Sequence, residues 1–240
     1  MKLLDGKVAI ITGGGSGIGK GIGRALLQQG ARAILCGRRR ETIEATAKRL
    51  QNEGGSAMAL EADVSLPADA DRVVKSTLEA YGKIDILINN AGIGGGGPIH
   101  DHDAAVWNRV LDVNLGGAFL MTRAVLPHMR NQGGGHIINI SSESGIEYYP
   151  GDGAYGVSKH ALNALGEFVQ RENQDFNIRI NTVCPGMVVT EMTQDTPGLD
   201  HDRCLYPEDI ADLAIWLLTR RPNIKIGTPI LIQTMLNPWE

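Results

Sequence analysis

A chain of 240 residues, 42% hydrophobic and 21% charged, with a formal net charge of -4, has the composition of an ordinary folded protein able to bury a sizeable core in one domain. The slight acidic excess offers nothing to a phosphate backbone or an anionic bilayer, so no nucleic-acid or membrane partner is expected. Cys36, Cys184 and Cys204 are odd in number and widely spaced, no run reaches the length of a membrane span, and Val8 to Ile11 follows too closely on Lys2 and Leu3 for a secretory leader. These features together point to a reducing, cytoplasmic setting.

In chain order, Val8 to Thr12 reads as a strand, Gly17 to Gln29 as a helix, Ala33 to Cys36 as a strand and Glu41 to Gln51 as a helix. The alternation continues with Ala57 to Glu61, the helix Ala68 to Tyr81, and the apolar strand Ile84 to Asn89. One long helical pattern then covers Ala105 to Met129, with Asn114 as a candidate irregularity because asparagine competes for backbone bonds inside a helix. His136 to Ile140, the helix Ala154 to Asn173, Arg179 to Val183, the helix Pro207 to Leu218 and Pro229 to Ile232 complete the series. Strands alternating with helices imply parallel β-α-β units with right-handed crossovers, hence a doubly wound α/β sheet of about seven strands covered on both faces. No repeat, Pro/Ser-rich linker or charge block marks a second domain, so 1–240 is expected to be one domain.

The first strand runs into Thr12-Gly13-Gly14-Gly15-Ser16-Gly17-Ile18-Gly19, which opens a helix. Glycines at that place let backbone approach a pyrophosphate, and the helix amino terminus offers unpaired N–H groups and a positive dipole end. A tight connection without a ligand is the other reading of such a turn. At the end of the second strand stand Arg38, Arg39 and Arg40 with no carboxylate among them. Guanidiniums there suit the 2′-phosphate of NADP(H), whereas the ribose of NAD(H) would lack its usual acidic acceptor; a solvated basic cluster is the alternative.

Tyr155 and Lys159 stand at i and i+4 on one helix face, about 6 Å apart along the axis. Ser142 follows the strand ending at Ile140, where its hydroxyl can reach the same strand-end crevice. Tyr148 and Tyr149 are rival phenols without a lysine four residues on, and are assigned to the pocket wall. His100 and His102 lack a third ligand at suitable spacing, so no metal is expected.

Taken together, Thr12 to Gly19, Asp63-Val64, Asn89-Asn90-Ala91-Gly92, Asn114, Ser142, Tyr155 with Lys159, and Pro185-Gly186 with Thr190 resemble the short-chain dehydrogenase/reductase family, from about Lys7 to about Leu218. The resemblance implies a Rossmann-type domain and hydride transfer between a nicotinamide cofactor and a small carbonyl or alcohol substrate, an aldehyde, ketone or hydroxy acid. It implies that Tyr155 exchanges the proton, Ser142 bonds the substrate oxygen, Lys159 holds the nicotinamide ribose and Asn114 positions a relay water. Cofactor contacts are then expected from Gly13, Gly15, Ser16, Gly17, Ile18, Gly19, Arg38, Arg39, Asp63, Val64, Asn90, Ala91, Gly92, Tyr155, Lys159, Pro185, Gly186, Val188 and Thr190. Substrate contacts are expected from Ser142, Ser144, Tyr149, Tyr155 and Met187. Asn90 is expected to be structural, tying the fourth strand to its neighbour. A free phenol is a poor base at neutral pH, and lowering its pKa by ~3 units requires about 4 kcal/mol. A lysine charge ~5 Å away at an effective dielectric near ~20 contributes roughly 3 kcal/mol of that.

The chain departs from the family at its carboxyl end, where many members have a glycine-rich tail and this one ends in Leu236-Asn237-Pro238-Trp239-Glu240. This ending loosely resembles NADP-dependent members acting on hydroxy acids, serine-like compounds and small aldehydes. The substrate loop, about 187–207, is short, which disfavours bulky ligands; Arg203, its one candidate for binding an acidic group, reads as a surface charge. NAD-linked alcohol oxidation and a catalytically silent nucleotide sensor stand as alternatives. Homotetramer or homodimer assembly through the long fourth and fifth helices is what the family resemblance suggests.

Overall fold

The computed structural model describes residues 2–239. Seven strands, β1 (Val8–Thr12), β2 (Arg32–Gly37), β3 (Ser56–Glu61), β4 (Ile86–Asn89), β5 (Gly135–Ile140), β6 (Ile178–Pro185) and β7 (Ile230–Ile232), form one sheet in the order β3-β2-β1-β4-β5-β6-β7. Every pairing is parallel. The helices are α1 (Gly17–Gln28), α2 (Arg40–Asn52), α3 (Pro67–Tyr81), α4 (Ala104–Leu111), α5 (Gly117–Asn131), α6 (Gly153–Asn173) and α7 (Pro207–Leu218).

Strand periodicity sorts the core into two layers. In β1, Ala9 and Ile11 face one apolar cluster with Leu26 of α1, Leu50 of α2 and Leu217 of α7. Val8 and Ile10 face the other, with Val73 of α3, Met121 of α5 and Val169 of α6. A strand sandwiched between two helix layers has no polar face, which is why all five residues of β1 and all four of β4 are buried.

Helix boundaries follow local chemistry. Proline opens α3 and α7 at a position whose N–H would have no helical partner. The Asp103 carboxylate accepts from the amides of Ala105 and Val106 to start α4. Gly82, at φ 73°, ends α3 in a left-handed conformation.

The fold differs from the sequence expectation in two places. The single helix expected over Ala105 to Met129 is α4 and α5 joined by a π-helical turn, Asp112–Gly116, centred on Asn114. The strand expected from Ile84 begins at Ile86; just before it, Asp85 bonds Val8 and His136 through its backbone, and its carboxylate accepts from Lys7, from Lys83 and from the Val8 amide. The chain runs outward through β1, β2 and β3 and then returns to place β4 beside β1. This reversal of winding opens a crevice beyond the carboxyl ends of those two strands, the place where ligands bind in open α/β sheets.

Candidate active site

The crevice is a cleft of about 730 Å³. Gly13, Gly15, Ser16, Gly17 and Ile18 form one wall, Arg38 and Arg39 close one end, and Asp63, Val64, Asn90, Ala91 and Gly92 line the middle. Tyr155, Lys159 and Thr190 line it further along.

The spacing of the glycine turn has a steric cause. Gly13 has φ 63°, and a Cβ there would stand 2.8 Å from Asn90 Nδ2. A Cβ on Gly19 would collide with the Gly13 carbonyl oxygen, so the first turn of α1 lies directly against the loop it follows. Gly19 is accordingly buried beneath the turn and absent from the cleft lining. Asn90 Nδ2 donates to the carbonyls of Thr12 and Gly13 at 2.9 and 3.2 Å, tying β4 to the end of β1. Ser16 caps α1 without a side-chain bond, and no acidic residue lies in the first turn, which leaves that end suited to an anion.

A glycine cradle at a helix amino terminus, open where a Cβ would intrude and flanked by arginines, fits a dinucleotide. The Arg39 guanidinium reaches Ser16 Oγ at 3.4 Å, and both Arg38 and Arg39 are exposed along the cleft. Arg40 is drawn away, pairing with Glu44 one helical turn on.

At the other end, Tyr155 and Lys159 share the inner face of α6. Lys159 is buried, its Nζ donating to the Ile140 carbonyl at 2.9 Å and lying 5.4 Å from the Tyr155 ring centroid. Burial lowers its pKa to about 8. Burial pushes Tyr155 up to about 12; the nearby Ser142 hydroxyl works the other way, while the charges of Asp152 and Glu143 add to the rise. Among the protein's own groups burial is the largest influence on the phenol, with the Lys159 ammonium over its ring; the lowering expected from Lys159 together with an oxidised nicotinamide belongs to the loaded site.

Asn114 is held from both ends. Its Oδ1 accepts from the Ile93 amide at 2.8 Å and its Nδ2 donates to the Ile93 carbonyl and to Ser158 Oγ, each at 3.0 Å. The π turn thus places a side chain that braces the β4 exit loop against α6.

Other expected residues lie elsewhere than at the cleft surface. The Ser142 hydroxyl accepts from the Ser144 amide at 3.1 Å and lies near Tyr155, whereas Ser144 is buried near Asp152. Tyr149 stands at the rim, 46% exposed, and Tyr148 is 84% exposed and stacked on His160, so the surface rather than the pocket holds it. Pro185 is buried at the end of β6, with Gly186 directly after it. Val188 packs into the core and pairs with Leu205; the Met187 carbonyl accepts from the Leu205 amide, closing the base of the 187–207 loop. His102 packs edge-on against Trp107, and His100 is exposed.

Sequence reasoning missed Arg109 of α4. Its guanidinium bonds Asp63 Oδ2 and Ser65 Oγ, both at 2.7 Å. Burial works to raise the Asp63 carboxyl, but the bonds from Ser65 and Arg109 outweigh it and hold the group below its ordinary value. A partner 46 positions away leaves no local signal. Also missed were Glu143 and Gln233, whose side chains meet at 2.8 Å beside Ser142 and Gly186.

The family model for short chain dehydrogenases matches residues 7–198. An uncharacterized oxidoreductase of Staphylococcus saprophyticus is 35% identical over 225 residues, 93% of this chain and 96% of the relative. Among solved structures, levodione reductase superposes with a TM-score of 0.90 at 29% identity, covering 96% of this chain and 97% of that one. A variant of actinorhodin polyketide ketoreductase, solved with NADPH, gives 0.84 at 31% identity, covering 88% and 90%. The chain belongs to the short-chain dehydrogenase/reductase family and is an NAD(P)-dependent oxidoreductase acting on a small molecule. Among the described residues, no helix is long and apolar enough to cross a membrane.

Proposed function

We propose that this protein interconverts a small carbonyl compound and its alcohol with NADP(H), using Tyr155 as the proton donor and acceptor. One observation carries the reading: Tyr155, with the Ser142 hydroxyl near its own, and the buried Lys159 adjoin the same cleft whose far end carries a glycine cradle and two exposed arginines. Bound nicotinamide supplies the hydride and, when oxidised, a positive charge.

In the reduction direction Ser142 donates to the substrate oxygen and fixes it beside Tyr155, which gives up its proton as the oxygen gains charge. A phenol held near 12 is well suited to remain protonated until then. Lys159, anchored on Ile140, positions the cofactor ribose and favours the tyrosinate. Asn114, fixed to Ile93 and Ser158, keeps the loop after β4 in register with α6 and supports a water that returns the proton. Arg38 and Arg39 pair with the 2′-phosphate. One domain carries both the cofactor and the substrate side, and the 187–207 loop covers the latter. The exposed Phe119, Val157 and Phe168 on α5 and α6 favour a homodimer or homotetramer through these helices, in a cytoplasmic setting.

Titration with NADPH and with NADH, followed by nicotinamide fluorescence, tests the cofactor assignment. Markedly tighter NADPH binding is expected. Equal or NADH-favoured binding contradicts it and redirects the search to NAD-linked alcohol oxidation.

A further inference from the structure

We propose that Glu143 selects the substrate, acting as counter-ion to an ammonium group carried beside the reacting carbonyl or carbinol carbon. The inference rests on the proposed function for the place of the substrate, which Ser142 and Tyr155 define independently of any acidic residue.

Glu143 directly follows Ser142 and opens the short 3-10 turn Glu143–Gly145. Its carboxylate is oriented by Gln233, just past β7, which donates to Oε2 at 2.8 Å. The same Oε2 would stand 3.1 Å from a Cβ on Gly186, which places the carboxylate against the backbone at the end of β6. The Tyr155 hydroxyl feels this charge together with that of Asp152.

The orienting donor, the Gln233 amide, is neutral. The partly buried carboxylates elsewhere are matched by cations, Asp63 by Arg109, Asp69 by Arg72 and Asp85 by Lys7 and Lys83. Among the described residues neither Glu143, Glu147 nor Asp152 forms an ion pair. A half-buried carboxylate fixed in place without a cation stabilises an incoming positive charge and repels a negative one. Of the substrates the sequence suggested, simple hydroxy acids are thereby disfavoured; amino alcohols and amino ketones are favoured.

Three probes share one carbon skeleton and differ in a single charge: 1-amino-2-propanol, 1,2-propanediol and lactate. Each is titrated into the protein saturated with NADPH, a pairing in which an alcohol cannot react, with nicotinamide fluorescence as the readout. The amino alcohol is expected to bind about tenfold more tightly than the diol, with lactate weakest. Glu143→Gln, which keeps the bond to Gln233, is expected to bring the amino alcohol to the level of the diol and leave the diol unchanged. Should that variant not fold, wild-type protein at high salt answers the same question, since screening weakens the amino alcohol alone. An amino alcohol that binds no more tightly than the diol, binds with equal strength to Glu143→Gln, or shows no salt dependence overturns the proposal. Turnover is read separately. Failure of NADP+ to oxidise any alcohol tells against the proposed function, whereas the charge ranking stands or falls on the titration.

Discussion

Arg38 and Arg39 are exposed side chains, and the role proposed for them rests on their position at the cleft rather than on burial. On that proposal, replacing Arg38 with aspartate removes one cation from the 2′-phosphate and adds a repelling charge. NADPH affinity is expected to fall at least about tenfold with NADH affinity unchanged or improved, measured by fluorescence titration. A preference for NADPH that survives the substitution excludes Arg38 from the phosphate site. Asn114 has the opposite character, buried and fully engaged. Asn114→Ala strands the Ile93 amide and carbonyl, at a cost of about 1–3 kcal/mol each when buried, while the Ser158 hydroxyl keeps its bond to the Tyr155 carbonyl. A melting temperature several degrees lower is expected, together with weaker cofactor binding as the loop after β4 loosens.

The β1–α1 connection shows at element scale why the glycine spacing was readable from sequence. Gly13, Gly17 and Gly19 stand where backbone crowds backbone or a left-handed φ is needed, and those demands act within eight residues of chain. Gly19→Ala is expected to force the turn off Asn90 and the Gly13 carbonyl, destabilise the fold by roughly 2 kcal/mol or more, and weaken cofactor binding, as thermal melting and titration would show. Unchanged stability and affinity would mean that the turn adjusts freely. The π turn between α4 and α5 was only half legible. Asn114 could be marked as a misfit in a helix, but the widening of the helix depends on bonds to Ile93 and Ser158, which lie far away in sequence. The Asp63–Arg109 pair and the Glu143–Gln233 contact, 46 and 90 positions apart, were invisible for the same reason. The strands and most helices were readable because periodicity alone decides which side faces which apolar layer.

Across the whole molecule, acid stability has an identifiable contributor. His136 on β5 is buried, bonded through Nε2 to Asn181 Oδ1 at 2.8 Å, with its other ring nitrogen unpartnered and Arg179 nearby. Burial, helped by the Arg179 charge, pushes its pKa down to about 3 from the usual 6.5. The folded protein keeps this ring neutral while the unfolded chain binds a proton below the ordinary value. Stability is therefore fully present above about pH 6.5 and is lost as the pH falls toward 3, by up to about 1.4 kcal/mol per unit. Denaturant titrations at pH 7 and at mildly acid pH should show this loss, and His136→Gln should flatten it; an equally steep acid limb in the variant would assign it to the carboxylates. Assembly is tested at the same scale. Phe168, 67% exposed on α6, is expected on conversion to aspartate to release monomers in sedimentation velocity; a wild-type monomer contradicts the assembly.

Dependence of hydride transfer on the Tyr155 hydroxyl is tested most directly by NADPH consumption with a panel of small aldehydes and ketones, comparing wild-type protein with Tyr155→Phe. Wild-type protein is expected to turn over members of the panel. The variant is expected to bind NADPH as before, with its rate reduced about 100- to 10,000-fold, the span usual for loss of a general acid. A variant that reduces the same compounds at the wild-type rate would contradict the role of Tyr155, and a wild-type protein that binds NADPH yet reduces nothing in the panel would contradict the reaction proposed for the cleft.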